Sequence, residues 1–170
     1  MHMLFKKGFT LVELAVVLVI IGVLAAIVLV NVGSFTIQGR DTKRIGDLRN
    51  IQPLLSQYQL KVGTFPDRSS FLNTPAGNDM ASDLVTQGVI PAVTSLSKPP
   101  RSGENYYYWA CSSSGATGPK NHYIVGAVLE QSSTQAPQLY SGSVAAVPSG
   151  WTCNGAPTCD PVNLQYCLAF

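Results

Sequence analysis

Few residues in this chain have the type and spacing to do chemistry. One carboxylate, Glu13, opens an apolar run where hydrophobicity alone would not place it. Four cysteines, Cys111, Cys153, Cys159 and Cys167, fall in the last 60 residues. Asp79 and Asp83 stand four apart, and the histidines are His2 and His122. A carboxylate inside an apolar segment costs about 2.5–3.5 kcal/mol on insertion scales, and so calls for a specific electrostatic partner. An even cysteine count suits two disulfides, with three possible pairings. Cys111 with Cys153 and Cys159 with Cys167 is the pairing expected, the other two staying open. Zinc is the rival, but five residues separate Cys153 from Cys159 and seven separate Cys159 from Cys167, which matches no common finger, and no histidine lies near. Calcium takes six to eight oxygens from clustered acids. Two aspartates four apart read rather as solvated surface or a helix start, so no metal or other cofactor is expected. There is no Gly-x-Ser-x-Gly, no His-Glu-x-x-His and no phosphate loop. His122, at a predicted strand start, reads as a surface or edge residue. An enzyme is not expected.

The element that must position Glu13 is the apolar run. Residues 14–30 are all apolar or Gly, and no charge appears over 14–39. Residues 9–30 number 22 with Glu13 as the only charge, close to the roughly 20 that span a bilayer. Hydrophobicity on every side means a helix buried in lipid or in other helices. Lys6 and Lys7 predict a cytoplasmic N-terminus, so the cysteines would lie outside the cytoplasm, where disulfides persist. A secretory signal peptide is the alternative, with Val23-Leu24-Ala25 as its cleavage site. The run exceeds the usual 7–15 or so apolar residues of such peptides, and Glu13 is misplaced for one.

Gly8-Phe9-Thr10-Leu11-Val12-Glu13, behind the basic pair, resembles the motif shared by type IV pilins and the pseudopilins of type II secretion. The resemblance implies that a prepilin peptidase cuts between Gly8 and Phe9 and that Phe9 is then N-methylated. It also implies that Glu13 pairs with the Phe9 amine of a neighbouring copy. Two isolated buried charges are costly, and pairing offsets most of the penalty. A local reading is that Glu13 offsets its own helix N-terminus, worth about 0.3–1 kcal/mol; the two can coexist. Implied partners are copies of the chain in a homopolymer, the peptidase, an assembly platform protein, an ATPase and the cytoplasmic membrane. The implied location is a single-pass membrane protein with its head outside the cytoplasm, then a surface or periplasmic filament. A second match, Arg44-x-x-Asp47-Leu48-x-x-Ile51 followed by Gly63-x-Phe65-Pro66, resembles the helix end of G-type pseudopilins. Those relatives bind calcium, for which Asp79 and Asp83 would be the candidates. Many type IV pilins have Pro where this chain has Val30, so the place of any bend stays open, with Gly33 and Gly39 as candidates. A monomeric, signal-anchored binding domain or enzyme is the reading of a different class.

Charge fits the fibre reading. The chain carries 11 Lys+Arg and 9 Asp+Glu, net +2. Lys6 and Lys7 belong to the implied leader, so the mature chain balances 9 against 9. That argues against nucleic acid and suits subunits that pack densely, since near-zero net charge promotes association.

The expected architecture is α+β: a leader over 1–8, an apolar helix over 9–39, an amphipathic continuation over 40–62, and a head over 63–170. Ile45, Leu48, Ile51, Leu55, Tyr58 and Val62 recur at helical steps. Asp41 with Arg44 and Lys43 with Asp47 add opposite-charge neighbours. Pro53 predicts a kink or break. Gly63 ends the helix and Pro66 follows. Residues 67–101 read as an irregular loop with a short helix over 80–85. Residues 105–110 and 122–130 have strand composition and predict an antiparallel hairpin laid on the helix. Alternation sends Tyr106 and Tyr108 to one face and Tyr107 and Trp109 to the other. Residues 138–140 or 143–147 are candidates for a further strand. The tail over 150–170 reads as too irregular for a long element, ordered by its cross-links, with Leu168-Ala169-Phe170 packing back on the sheet.

Overall fold

A computed structural model describes residues 8–71 and 79–170, without the side chains of 27–32 and 34. The implied leader over 1–8 lies outside the described residues except for its last residue, Gly8. The chain divides into two compact units, Met1–Thr36 and Ile37–Phe170. One helix, α1 (Leu11–Val62), passes from the first into the second.

In the first unit, α1 is a run of Val, Leu and Ile whose described side chains are exposed on every side. Among the described residues no helix is long and apolar enough to cross a membrane. The spanning segment expected over 9–39 includes residues 27–32 and 34, whose side chains lie outside the description. The helix does not stop at Gly33 or Gly39.

In the second unit, α1 packs one face on a sheet. Ile45, Leu48, Ile51, Leu55 and Tyr58 are buried as their spacing predicts, whereas Val62, at the helix end, is exposed. Pro53 does not break the helix. It sits on the exposed face while Ile51 and Leu55 on either side are buried, so packing holds the turn that loses one backbone bond. Gly63, at φ +92°, ends the helix by donating its N–H to the Gln59 carbonyl at 2.7 Å, a left-handed position that favours glycine.

After a loop come α2 (Met80–Thr86) and a 3₁₀ turn, Val93–Ser95. Strands β1 (Tyr107–Ser112), β2 (His122–Val128), β3 (Thr152–Cys153) and β4 (Gln165–Ala169) form one antiparallel sheet in the order β3-β1-β2-β4. Two expectations are corrected. The stretch 138–140 lies in a 3₁₀ turn, Pro137–Tyr140, begun by Pro137, and 143–147 forms no strand. The tail supplies both outer strands, and Phe170 stacks on Tyr123 with centroids 5.1 Å apart. Its strand residues, Gln-Tyr-Cys-Leu-Ala, gain their conformation by pairing with β2 rather than from their own propensity.

Alternation gives the sheet two packed faces. Tyr106, Tyr108, Tyr123, Val125, Tyr166 and Leu168 meet the α1 stripe in the main core. Trp109, Cys111, Ile124, Cys159 and Cys167 form a second cluster under the tail. Tyr107 remains exposed and stacks on Trp109. Gly126 leaves room beside the neighbouring strand: a Cβ there would meet the Tyr166 carbonyl oxygen of β4 at 3.2 Å. The outer edge of β4 is blunted, because Val144 N–H donates to the Cys167 carbonyl and Cys167 N–H to Ser143 Oγ.

The structure joins Cys111 to Cys153, which face each other across β1 and β3, and Cys159 to Cys167. The sequence separations are 42 and 8. In the chain-entropy account the longer loop is worth about 4 kcal/mol and the shorter about 2.5. Replacing Cys111 and Cys153 together by Ser is therefore expected to lower the urea midpoint of the head more than replacing Cys159 and Cys167. Equal losses would show that native packing, not loop closure, sets the effect.

Candidate assembly site

The N-terminal site is built from a helix start. Thr10 precedes α1 and Glu13 sits in its first turn. Glu13 N–H donates to Thr10 Oγ1 at 3.2 Å, and Glu13 Oε2 accepts from Thr10 N–H and Thr10 Oγ1–H, each at 2.8 Å. This reciprocal arrangement satisfies two otherwise open groups of the helix start. The signal for this cap is in the sequence, since Thr-x-x-Glu before an apolar run is its signature. The carboxylate thus caps its own helix through Oε2, and Oε1 accepts no hydrogen bond among the described residues. A carboxylate has about four acceptor positions, so a second donor can be accommodated. Phe9, beside Gly8 at the implied cut, is 91% exposed.

Around this carboxylate, Leu11, Val12, Leu14, Val16, Val17 and Leu18 are all exposed. A soluble monomer rarely shows a contiguous apolar surface of this extent, and such surfaces mark sites of protein or membrane contact.

The second constellation ties α1 to the head. Asp41 and Arg44 are one turn apart and fully buried, at 0% and 1% side-chain exposure. Arg44 Nη1 donates to Asp41 Oδ1 at 2.6 Å and to Glu130 Oε1 at 2.9 Å, and Arg44 Nη2 reaches Glu104 Oε2 at 2.6 Å. Asp41 also accepts the backbone N–H groups of Glu130 (2.9 Å) and Gln131 (3.0 Å) just past β2. Arg40 Nε donates to Glu130 at 2.7 Å. The hydrogen bonds from Arg40, with Arg44 adding to them against the cost of burial, hold the Glu130 carboxyl down at about 2. Burial pulls the Arg44 guanidinium down, yet its bonds to Glu104 and Glu130 outweigh that and leave it raised. Lys43 pairs with Asp47 at 2.8 Å as expected, and Asp47 also accepts from Tyr106 Oη at 2.6 Å. In sequence, Asp41 and Arg44 look like a surface pair. Nothing local shows that Glu104 and Glu130, 60 and 86 residues from Arg44, close the cluster.

The remaining candidates have structural partners. Asp79 caps α2, accepting from Ser82 N–H at 2.8 Å, and Asp83 pairs with Arg68 at 2.7 Å. Among the described residues no group of three or more His, Cys, Asp and Glu is placed to hold a metal ion. His122 is half-buried and stacks on Trp151, centroids 3.9 Å apart, on an inner strand rather than at an edge.

Residues 3–29 match the Prokaryotic N-terminal methylation motif family. The type II secretion system core protein G of Pseudomonas aeruginosa is 34% identical over 128 residues, covering 72% of this chain and 84% of that protein. The chain belongs to the type IV pilin and pseudopilin family. The fimbrial protein of Neisseria meningitidis serogroup A is also similar, 32% identical over 79 residues, or 46% of this chain and 44% of that protein. No solved structure matches. The architecture is that of a pilin: a long N-terminal helix with a small antiparallel four-stranded sheet on its second half. The exposed apolar stretch of α1 with Glu13 at its start is the candidate assembly surface, and within the second unit the charge cluster joins α1 to the segments flanking β1 and β2.

Proposed function

We propose that this chain is a structural subunit that polymerises into a type IV pilus-like helical filament after prepilin peptidase cuts between Gly8 and Phe9. The observation that carries the proposal is the all-round exposed apolar surface of the described side chains of the first unit, headed by a single carboxylate. Such a helix must be covered, first by lipid and then by copies of itself. Exchange between two apolar surroundings needs little net hydrophobic energy, so other terms decide the arrangement of the copies. The new Phe9 amine, kept cationic after methylation to a secondary amine, pairs with Glu13 of a neighbour and sets the register. Lys6 and Lys7 orient the precursor with its head outside the cytoplasm. An assembly platform protein and an ATPase drive extraction from the membrane.

A type II secretion or competence pseudopilin is the second reading, favoured by the longer coverage of core protein G. Shearing cells that carry the chain and its assembly proteins, followed by electron microscopy, is expected to yield filaments composed of it. Loss of surface filaments on deletion favours a pilus; periplasmic retention of secreted proteins favours the pseudopilin. A chain that stays monomeric in the membrane with all these proteins present would overturn both.

A further inference from the structure

Two small surface features of the head are complementary and lie at opposite ends of it. At the C-terminal end of α1, Leu60 is 87% exposed beside Lys61. Lys61 Nζ donates to the carbonyls of Gln87 (2.9 Å) and Gly88 (3.2 Å), which hold it in place, and among the described residues no acid pairs with it. The other feature is the turn closed by the Cys159–Cys167 disulfide. There Val162 is 60% exposed beside Asp160. Asp160 accepts from Val162 N–H at 3.0 Å and from Asn163 Nδ2–H at 2.6 Å, and these bonds hold its carboxyl below the ordinary range. Among the described residues it has no cationic partner.

Both features are held rigidly. Asp160 N–H donates to Gln165 Oε1, Gln165 N–H to the Asp160 carbonyl, Leu129 N–H to Leu164, and Ser133 N–H to Pro161. A pre-formed tip loses little conformational entropy on docking. The same bonds place the turn beside Leu129 and Glu130, where Glu130 meets Arg40 and Asp41 near the start of the head's helix. Leu60 is 20 residues farther along that helix, about 30 Å at 1.5 Å per residue.

We infer that the Asp160–Val162 turn of one copy docks on Leu60 and Lys61 of another, Val162 against Leu60 and Asp160 against Lys61. The inference rests on the filament reading above and names a contact between the heads of neighbouring copies within it. An exposed apolar–cation pair at one end and an apolar–anion pair at the other make a heterologous contact. Contacts of that kind give rings where the rotation between copies closes and open helical filaments where it does not, and the filament reading takes the second case. Opposite unbalanced charges on a mature chain of net zero give the complementarity.

Charge exchange in the full chain, read as filament yield after shearing, tests it. Lys61→Asp alone and Asp160→Lys alone are each expected to lower the yield at least about tenfold, since like charges then face each other along every contact. The double exchange is expected to restore most of the yield. A double variant no better than either single one, or single variants with normal yield, would overturn the contact while leaving the filament reading intact. Absence of filaments from the unsubstituted chain would overturn the filament reading itself. A Leu60→Cys/Val162→Cys variant gives a second readout: oxidation of filaments should produce covalent ladders beyond dimers, absent from either single-cysteine variant. Filaments without ladders, or ladders from one substitution alone, would also overturn the contact.

Discussion

Glu13→Ala is expected to lower filament yield at least about a hundredfold, because under the proposed pairing it would leave a neighbour's Phe9 amine buried without its counter-ion, a loss of about 3–5 kcal/mol. The subunit should still accumulate in the membrane, since removing a charge from an apolar helix favours insertion. Two roles for the carboxylate must be separated, because it also caps its own helix through Thr10. Loss of a cap costs about 1 kcal/mol, too little to abolish assembly. Glu13→Gln separates them. It preserves an acceptor toward Thr10 and removes the negative charge. If pairing with the amine sets the register, Glu13→Gln assembles as poorly as Glu13→Ala. Normal filament numbers on either variant, counted by electron microscopy of sheared material, would refute the pairing.

The second large effect lies in the head. Arg44→Met is expected to destabilise the second unit by about 3–5 kcal/mol, because Asp41 stays buried with its cation gone. Arg101→Ala is the control: its side chain is 60% exposed, its contact to Glu130 is 3.5 Å long, and exposed pairs are worth about 0–1 kcal/mol. Urea unfolding of the two variants should differ accordingly, and equal midpoints would show that Arg44 is replaceable by packing alone. The cluster also fixes a pH dependence. The folded Glu130 carboxyl, at about 2, lies below its ordinary 4.5. Its contribution is therefore fully present above the ordinary value and is lost as pH falls through the folded one. Melting temperature should drop on acidification from pH 4.5 toward 2 more steeply in the unsubstituted chain than in Glu130→Gln, which starts lower at neutral pH. Parallel curves would remove Glu130 from the acid transition.

These two sites differ in how far the amino-acid order discloses them. The Gly8-to-Glu13 motif is local, so its residues are readable without a structure, and even the Thr10 cap follows from a Thr-x-x-Glu spacing. The α1 stripe, α2 and the β1–β2 hairpin are legible for the same reason, since periodicity and composition act over a few residues. The Arg44 cluster is not. Its acids come from before β1 and after β2, and burial converts an apparent surface pair into a tie between helix and sheet. Strands β3 and β4 are hidden likewise. A two-residue strand has no period, and β4 exists because β2 offers it an edge. Pro53 misleads in the other direction, because a local rule for breaking helices yields to buried neighbours on both sides.

Without the proposed cleavage there is no amine at Phe9 and no partner for Glu13. Mass spectrometry of the mature chain tests this directly. It is expected to find a protein that begins with N-methylated Phe9 and retains everything after it. A chain that starts at Ala26, as signal-peptide cleavage would leave it, or one that keeps Met1 uncut in cells that contain the peptidase, would contradict the account.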